Sequence, residues 1–106
     1  MKSSIILGTM LYLILATGSV QAQQTDDEIG KIMTDSIGYL MMGDFDAAFE
    51  RSDHLEAAEQ QDVLIINIWN FATTAQDCKA MTEAVDRLNS ILMKGLFSTN
   101  LKQLCP

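Results

Sequence analysis

The sequence has few of the residue types that carry enzyme chemistry, with one histidine and two cysteines among 106 residues. No serine or cysteine stands beside a candidate base, no His and Cys residues are spaced as metal ligands, and no glycine-rich loop is present to hold a phosphate. The histidine, His54, follows Glu50 by four residues, a spacing at which such a pair stabilises a helix. The sequence therefore predicts a protein that is not an enzyme and that needs no cofactor or metal.

Basic residues are also scarce, with seven Lys and Arg against fourteen Asp and Glu and a formal net charge of −7. Proteins that bind a nucleic-acid backbone or an anionic membrane need clustered positive charge, and the basic residues here are scattered. We therefore expect neither nucleic acid nor membrane as a partner of the mature protein. The acidic balance is compatible with a basic protein partner and equally with simple solubility.

The N-terminal stretch Met1–Ala22 has the three parts of a secretory signal peptide: a positive head at Lys2, an apolar run from Ile5 to Ala16 and a polar end with small residues. The alternative is a membrane anchor, but the apolar run of about twelve residues is shorter than the roughly 20 needed to span a bilayer. We expect cleavage after Ala22. Residues 23–106 would then form a single domain of a secreted or periplasmic protein, with a charge of about −8.

Cys78 and Cys105 are the two cysteines, and both lie in the predicted mature domain. A domain of this size buries only about 60–65% of the surface of its unfolded chain and is marginally stable without a cross-link. An exported protein meets an oxidising compartment, and no third thiol competes for pairing. The sequence therefore predicts a Cys78–Cys105 disulfide.

Apolar residues recur at helical spacing along most of the mature domain, which predicts an all-α fold. Thr25 and Glu28 have the spacing of a capping box, so the first helix is expected to begin there and to end at Gly43. Asp44 is expected to cap a second helix with an apolar stripe that reaches Leu55. A third, largely buried helix is expected from Gln61 to Ala75. The absence of Gly and Pro between Glu56 and Gln61 leaves open whether the second and third helices are continuous.

The last helix is expected to run from Cys78 to Lys94, with a continuous apolar stripe and Gly95 as its stop. Such a helix is about 24 Å long, so the tail from Leu96 to Pro106 must be at least partly extended for Cys105 to return to Cys78. The predicted fold is a small bundle of three to four antiparallel helices with a C-terminal tail tied back by one disulfide.

The segment Asp44–Leu55 aligns with Asp77–Leu88, at an offset close to the tetratricopeptide period of about 34 residues. The stretch Tyr39–Phe49 resembles the turn of a tetratricopeptide-like helical hairpin, in which an aromatic residue precedes a Gly-Asp-aromatic turn and a small residue lets the helices approach. In the second unit Gln76 replaces the glycine and Met81 the small residue, and no proline separates the units. The alternative is a generic helical hairpin that uses the same turn chemistry.

Aromatic residues and methionines indicate where a ligand or partner would bind. Helical bundles often bind molecules between their helices, so we expect a groove between the first two helices and the later ones. Its predicted lining residues are Tyr39, Met42, Phe45, Phe49 and Trp69. The alternative for the same residues is packing in the core.

The function expected from these features is binding of another protein, in an adaptor, inhibitor or immunity-type role. One alternative is a periplasmic acid-stress chaperone, because an acidic chain becomes positive and exposes apolar faces once its carboxylates are protonated. A second alternative is a carrier of a small apolar ligand. The sequence names neither the partner nor the oligomeric state.

Overall fold

The structure is a computed structural model that describes residues 24–106, so the predicted signal peptide, Met1–Ala22, lies outside the described residues. The described part is entirely helical, which confirms the all-α prediction, and none of its helices has the length and apolar composition needed to cross a bilayer. Its five helices are α1 (Asp26–Met41), α2 (Phe45–Ser52), α3 (Ala58–Ala75), α4 (Cys78–Arg87) and α5 (Ile91–Leu104).

The starts of α1 and α2 follow the predicted capping residues. Thr25 Oγ1 accepts a hydrogen bond from the backbone N–H of Glu28, whose carboxylate accepts in turn from the backbone N–H of Thr25. Asp44 accepts from the backbone N–H of Ala47 and so caps α2. Both bonds satisfy N–H groups that have no partner within the helix. The second and third helices are separate, because α2 ends at Ser52 and α3 begins only at Ala58.

The turn between α1 and α2 recurs between α3 and α4, with Asp77 in the place of Asp44. The backbone N–H of Asp44 donates to Tyr39 O at 2.9 Å, and that of Asp77 donates to Ala72 O at the same distance. Asp77 also accepts from the N–H three residues on, as Asp44 does. The residue before each aspartate is left-handed, with φ of 76° at Gly43 and 55° at Gln76. The two aspartates therefore occupy equivalent positions in two turns that have the same backbone geometry.

Each left-handed residue can be replaced by the residue found in the other turn, and the two single substitutions are expected to change the free energy of unfolding in opposite directions. Replacement of Gln76 by glycine should raise the free energy of unfolding by about 1 kcal/mol, because a side chain at positive φ is strained and glycine is not. Gly43→Gln should lower it by a similar amount. Urea denaturation of the two variants measures both changes. If both substitutions changed the free energy of unfolding in the same direction, backbone strain at these two positions would not be the cause.

The core is built from the first four helices and the loops that join them. Its buried apolar residues come from α1 to α4, the loop before α3 and the end of α4, and none comes from α5. They are Ile32, Leu40, Ala48, Phe49, Leu55, Leu64, Ile65, Ile68, Trp69, Ala72, Ala80, Met81, Ala84, Val85 and Leu88. Where α1 crosses α2, the fully buried Ser36 donates a hydrogen bond to Ala48 O. The fully buried core therefore lies within α1 to α4, and α5 packs against it through partly buried residues such as Phe97 and Leu101.

The prediction of one continuous helix from Cys78 to Lys94 is wrong, because α4 ends at Arg87 and α5 begins at Ile91. The break is fixed by the buried carboxylate of Asp62, which accepts hydrogen bonds from the backbone N–H groups of Asn89 at 2.8 Å and Ser90 at 3.0 Å. Ser90 then caps α5 through the N–H of Met93. The interaction that ends α4 thus comes from α3 rather than from a local stop signal.

The predicted extended tail is also wrong, since residues 91–104 are helical and Gly95 lies inside α5. An extended tail would be required only if Cys78–Lys94 formed one unbroken helix. Because α4 and α5 are separate, α5 can run back alongside α4 and bring Cys105 to Cys78. The disulfide between them is confirmed, with a Cα–Cα distance of 5.9 Å. The described part therefore has five helices, instead of three to four, and the disulfide holds a helix.

Candidate binding site

An apolar cleft of about 610 Å³ lies between the end of α1 and the end of α3. Met41 is 77% exposed at its rim, and Phe71 is partly exposed on the facing helix. Gly43, in the turn between α1 and α2, and Phe45, the first residue of α2, also line the cleft. We call this the apolar cleft; its lining residues are Leu40, Met41, Gly43, Phe45, Asn70, Phe71, Thr74 and Ala75.

A second, smaller cleft of about 200 Å³ adjoins the first, and Gly43 and Phe45 line both. Four carboxylates and one lysine lie along it, so its charge is negative. We call it the acidic cleft; its lining residues are Gly43, Asp44, Phe45, Asp46, Phe49, Asp77, Lys79, Ala80 and Glu83. Two of its carboxylates, those of Asp44 and Asp77, cap α2 and α4, whereas Asp46 is exposed to solvent.

The wall of the acidic cleft is held in place by Arg87, near the end of α4. Its guanidinium lies 5.0 Å from the centroid of the Phe49 ring, within the range of a cation–π contact. It donates to Asp53 at 2.6 Å and to Glu83 at 3.0 Å. The contacts with Phe49 and Asp53 join α4 to the C-terminal half of α2, whereas the contact with Glu83 lies within α4.

The structure separates the residues that the sequence predicted as one groove. Phe45 lines both clefts and Phe49 lines the acidic cleft, although Phe49 itself is 1% exposed and packs in the core. Trp69 is buried and its ring makes an edge-to-face contact with Phe97 of α5 at 5.1 Å. Met42 is exposed in the turn, and Tyr39 packs partly buried against the core. Neither Trp69, Met42 nor Tyr39 is a lining residue of the two clefts.

Sequence reasoning missed Met41 and Phe71, the two exposed large apolar residues that line the apolar cleft. A partial signal was available for Met41, because Leu40, Met41 and Met42 are consecutive and one face of a helix cannot bury three consecutive side chains. Phe71 is exposed although the next residue, Ala72, is fully buried. No pattern in the sequence marks Phe71 as exposed.

Among residues 24–106, no group of three or more His, Cys, Asp or Glu side chains is arranged to hold a metal ion. Comparison of the chain with protein-family models, with curated proteins and with solved structures found no match.

Proposed function

We propose that this chain is an exported protein that acts by binding another protein at the apolar cleft. The observation that carries the proposal is that two exposed apolar side chains, Met41 and Phe71, line the same apolar cleft. Methionine is flexible and polarisable, so it adapts to a partner's side chains. Exposed apolar patches rimmed by polar residues are typical of protein interaction sites.

The proposed partner segment carries a large apolar side chain next to a basic one. The apolar side chain enters the apolar cleft, and the basic group lies over the acidic cleft beyond Phe45. This assignment follows from the two shared lining residues, Gly43 and Phe45, which place the clefts side by side. Complementary charge of this kind raises the rate of association and weakens as salt is added.

We further propose that the chain is built from two related antiparallel helical hairpins, α1–α2 and α3–α4, in the manner of a tetratricopeptide-like repeat. Two observations support this proposal. Asp44 and Asp77 occupy equivalent positions in their turns. The same number of residues separates Ala58 from Ile91, the first residues of α3 and α5. Repeats of this kind pack side by side into an extended surface on which partners bind. Export is supported by the disulfide, which persists in oxidising compartments.

A photo-reactive amino acid placed at Met41 or at Phe71 in the native host is expected to give the same discrete protein adduct from both positions. Both side chains line the apolar cleft, so each would lie against the bound partner. The matched control is Val63, which is 53% exposed but does not line either cleft. Mass spectrometry identifies the adducts. Adducts of the same kind and amount at Val63, or none at any of the three positions, would contradict the proposal.

A second candidate function is carriage of a small apolar ligand, favoured by the volume of the apolar cleft, which falls in the range of small-molecule sites. Such sites bury most of the ligand surface, whereas the rim of this cleft is open and Met41 is largely exposed. Native mass spectrometry of the protein purified from its host distinguishes the two functions. A stoichiometric small-molecule adduct that is lost in Phe71→Asp would favour the carrier.

A further inference from the structure

The last helix, α5, is covered on one side only. Phe97 and Leu101 pack against the core on that side, and the disulfide fixes the end of the helix. On the remaining surface Ile91 is 88% exposed, Leu92 73% and Leu96 59%. We call these three side chains the outer face of α5. Apolar residues of this size at successive turns of one helix are typical of a surface that is buried in an assembly.

Gly95 lies within the outer face, in the interior of the helix. A glycine there destabilises the helix relative to alanine, and no packing among residues 24–106 requires it, because a Cβ atom at Gly95 would lie within 4 Å of no atom outside its own stretch of helix. The space is therefore open to a second backbone. Gly30 and Gly38 of α1 are equally open, but α1 carries four acidic side chains and α5 carries none.

The charges of the chain are divided between α5 and the rest of the domain. All fourteen acidic residues lie between Asp26 and Asp86, whereas α5 carries two lysines, Lys94 and Lys102. Two copies of a strongly acidic protein repel each other across their carboxylate-bearing surfaces. The outer face of α5 is an apolar surface on a helix that carries no carboxylate side chain, so contact between two such faces would not bring carboxylates together. An anionic lipid surface would attract the two lysines but repel the acidic helices beside them.

We propose that a second copy of this chain covers the outer face of α5. The two α5 helices pack against each other about a two-fold axis, with Gly95 at the crossing point and Leu92 and Leu96 on either side of it. A contact of this kind closes on itself and gives a dimer rather than a filament. The proposal is independent of the apolar cleft and of what binds there.

The size of the contact sets its strength. A helix of 14 residues is about 21 Å long and about 10 Å wide, so two such faces cover about 400 Å² in total. This is below the size of stable specific interfaces, and association across it is weak and reversible. We therefore expect a dimer with a dissociation constant on the order of 100 µM.

Sedimentation velocity of the oxidised protein, from about 1 to about 500 µM, tests the proposal because this range brackets a dissociation constant of about 100 µM. A shift from monomer to dimer is expected across the range. The variant Leu92→Glu should raise the dissociation constant at least about tenfold, since a carboxylate would be buried in the contact. The matched control is Met42→Glu, because Met42 is 72% exposed, as Leu92 is, but lies in the turn after α1. It should associate like the unchanged protein.

Gly95→Ala gives an independent check, because it should raise the melting temperature of the monomer and yet weaken the dimer. A monomer at every concentration, or equal loss of association in Leu92→Glu and Met42→Glu, would overturn the proposal. Pelleting with vesicles that contain phosphatidylglycerol is measured in parallel. A protein that stays monomeric but pellets with the vesicles, and does so only when Leu92 is intact, would identify a lipid surface in place of the second copy.

Discussion

Reduction of the Cys78–Cys105 disulfide is expected to lower the midpoint of thermal unfolding by about 12–30 °C. The bond joins residues 27 apart in sequence, and the chain-entropy model gives about 3–4 kcal/mol for a loop of this length. In a domain of this size each kcal/mol shifts the midpoint by about 4–8 °C. The disulfide is therefore a large part of the stability of a domain whose total is about 5–15 kcal/mol.

The helix most affected should be α5, because none of its residues is buried. Its attachment consists of the disulfide, a few half-buried side chains and the contact of Phe97 with Trp69. Trp69 belongs to the core, and Phe97 of α5 packs against its ring. Reduction should thus release α5 first and expose the Trp69 ring to water. Because Trp69 is the only tryptophan in the chain, a red shift of its fluorescence reports this step directly.

The measurement is a pair of thermal melts, with and without dithiothreitol, followed by circular dichroism and by Trp69 fluorescence. The double variant Cys78→Ser, Cys105→Ser serves as the control. It should melt like the reduced protein and should not respond to dithiothreitol. If the midpoint of the double variant equals that of the oxidised protein, the link is dispensable and α5 is held by packing alone.

The starts of α1 and α2 could be predicted from the sequence because the interactions that fix them are local. Thr25 bonds to Glu28 and Asp44 to Ala47, each over three residues, so the residue types and their spacing carry all of the information. The same holds for Gly43, whose positive φ suits glycine. The disulfide was predictable for another reason: two cysteines allow one pairing.

The break after Arg87 could not be predicted in this way. The apolar pattern runs on through Leu88, Ile91 and Leu92 as a continuous helix would require, and no glycine or proline interrupts it. What ends α4 is the carboxylate of Asp62, which lies 27 residues earlier in the chain. An acceptor that reaches the backbone from another helix leaves no local signal. The one local signal is Ser90, which caps α5 through the N–H of Met93, and the continuous apolar pattern outweighed it. The errors in the tail and in the role of Gly95 both follow from the missed break.

The candidate site was predicted only in part, because exposure depends on how the helices pack. Phe45 and Phe49 were expected at a groove and both lie at the acidic cleft. Trp69 was placed with them from residue type alone, but it faces α5, a helix that sequence reasoning did not expect. Met41 and Phe71 line one cleft but belong to helices that are distant in sequence. Periodicity assigns a residue to a face of its own helix and does not say which other helix that face meets.

Replacement of Asp62 by alanine is expected to lower the free energy of unfolding by about 2–4 kcal/mol. The Asp62 carboxylate is 7% exposed and accepts from the backbone N–H groups of Asn89 and Ser90 and from the Asn89 side chain. A hydrogen bond to a charged group contributes about 1.5–3 kcal/mol, and the partly exposed N–H groups of Asn89 and Ser90 recover some of that loss by bonding to water. The loss should be greatest at the link between α4 and α5, so the start of α5 should fray and the contact of Trp69 with Phe97 should loosen.

Urea denaturation and Trp69 fluorescence measure the two effects in Asp62→Ala, and two further variants separate their cause. Asp86→Ala removes an exposed carboxylate near the end of α4 and should change the stability by less than about 0.5 kcal/mol. Asp62→Asn keeps one acceptor oxygen and replaces the other by an amide that only donates, so its stability should fall between those of the parent and Asp62→Ala. If Asp62→Ala is no less stable than Asp86→Ala, the Asp62 carboxylate does not hold the link. The break after Arg87 would then follow from the packing of Leu88 in the core.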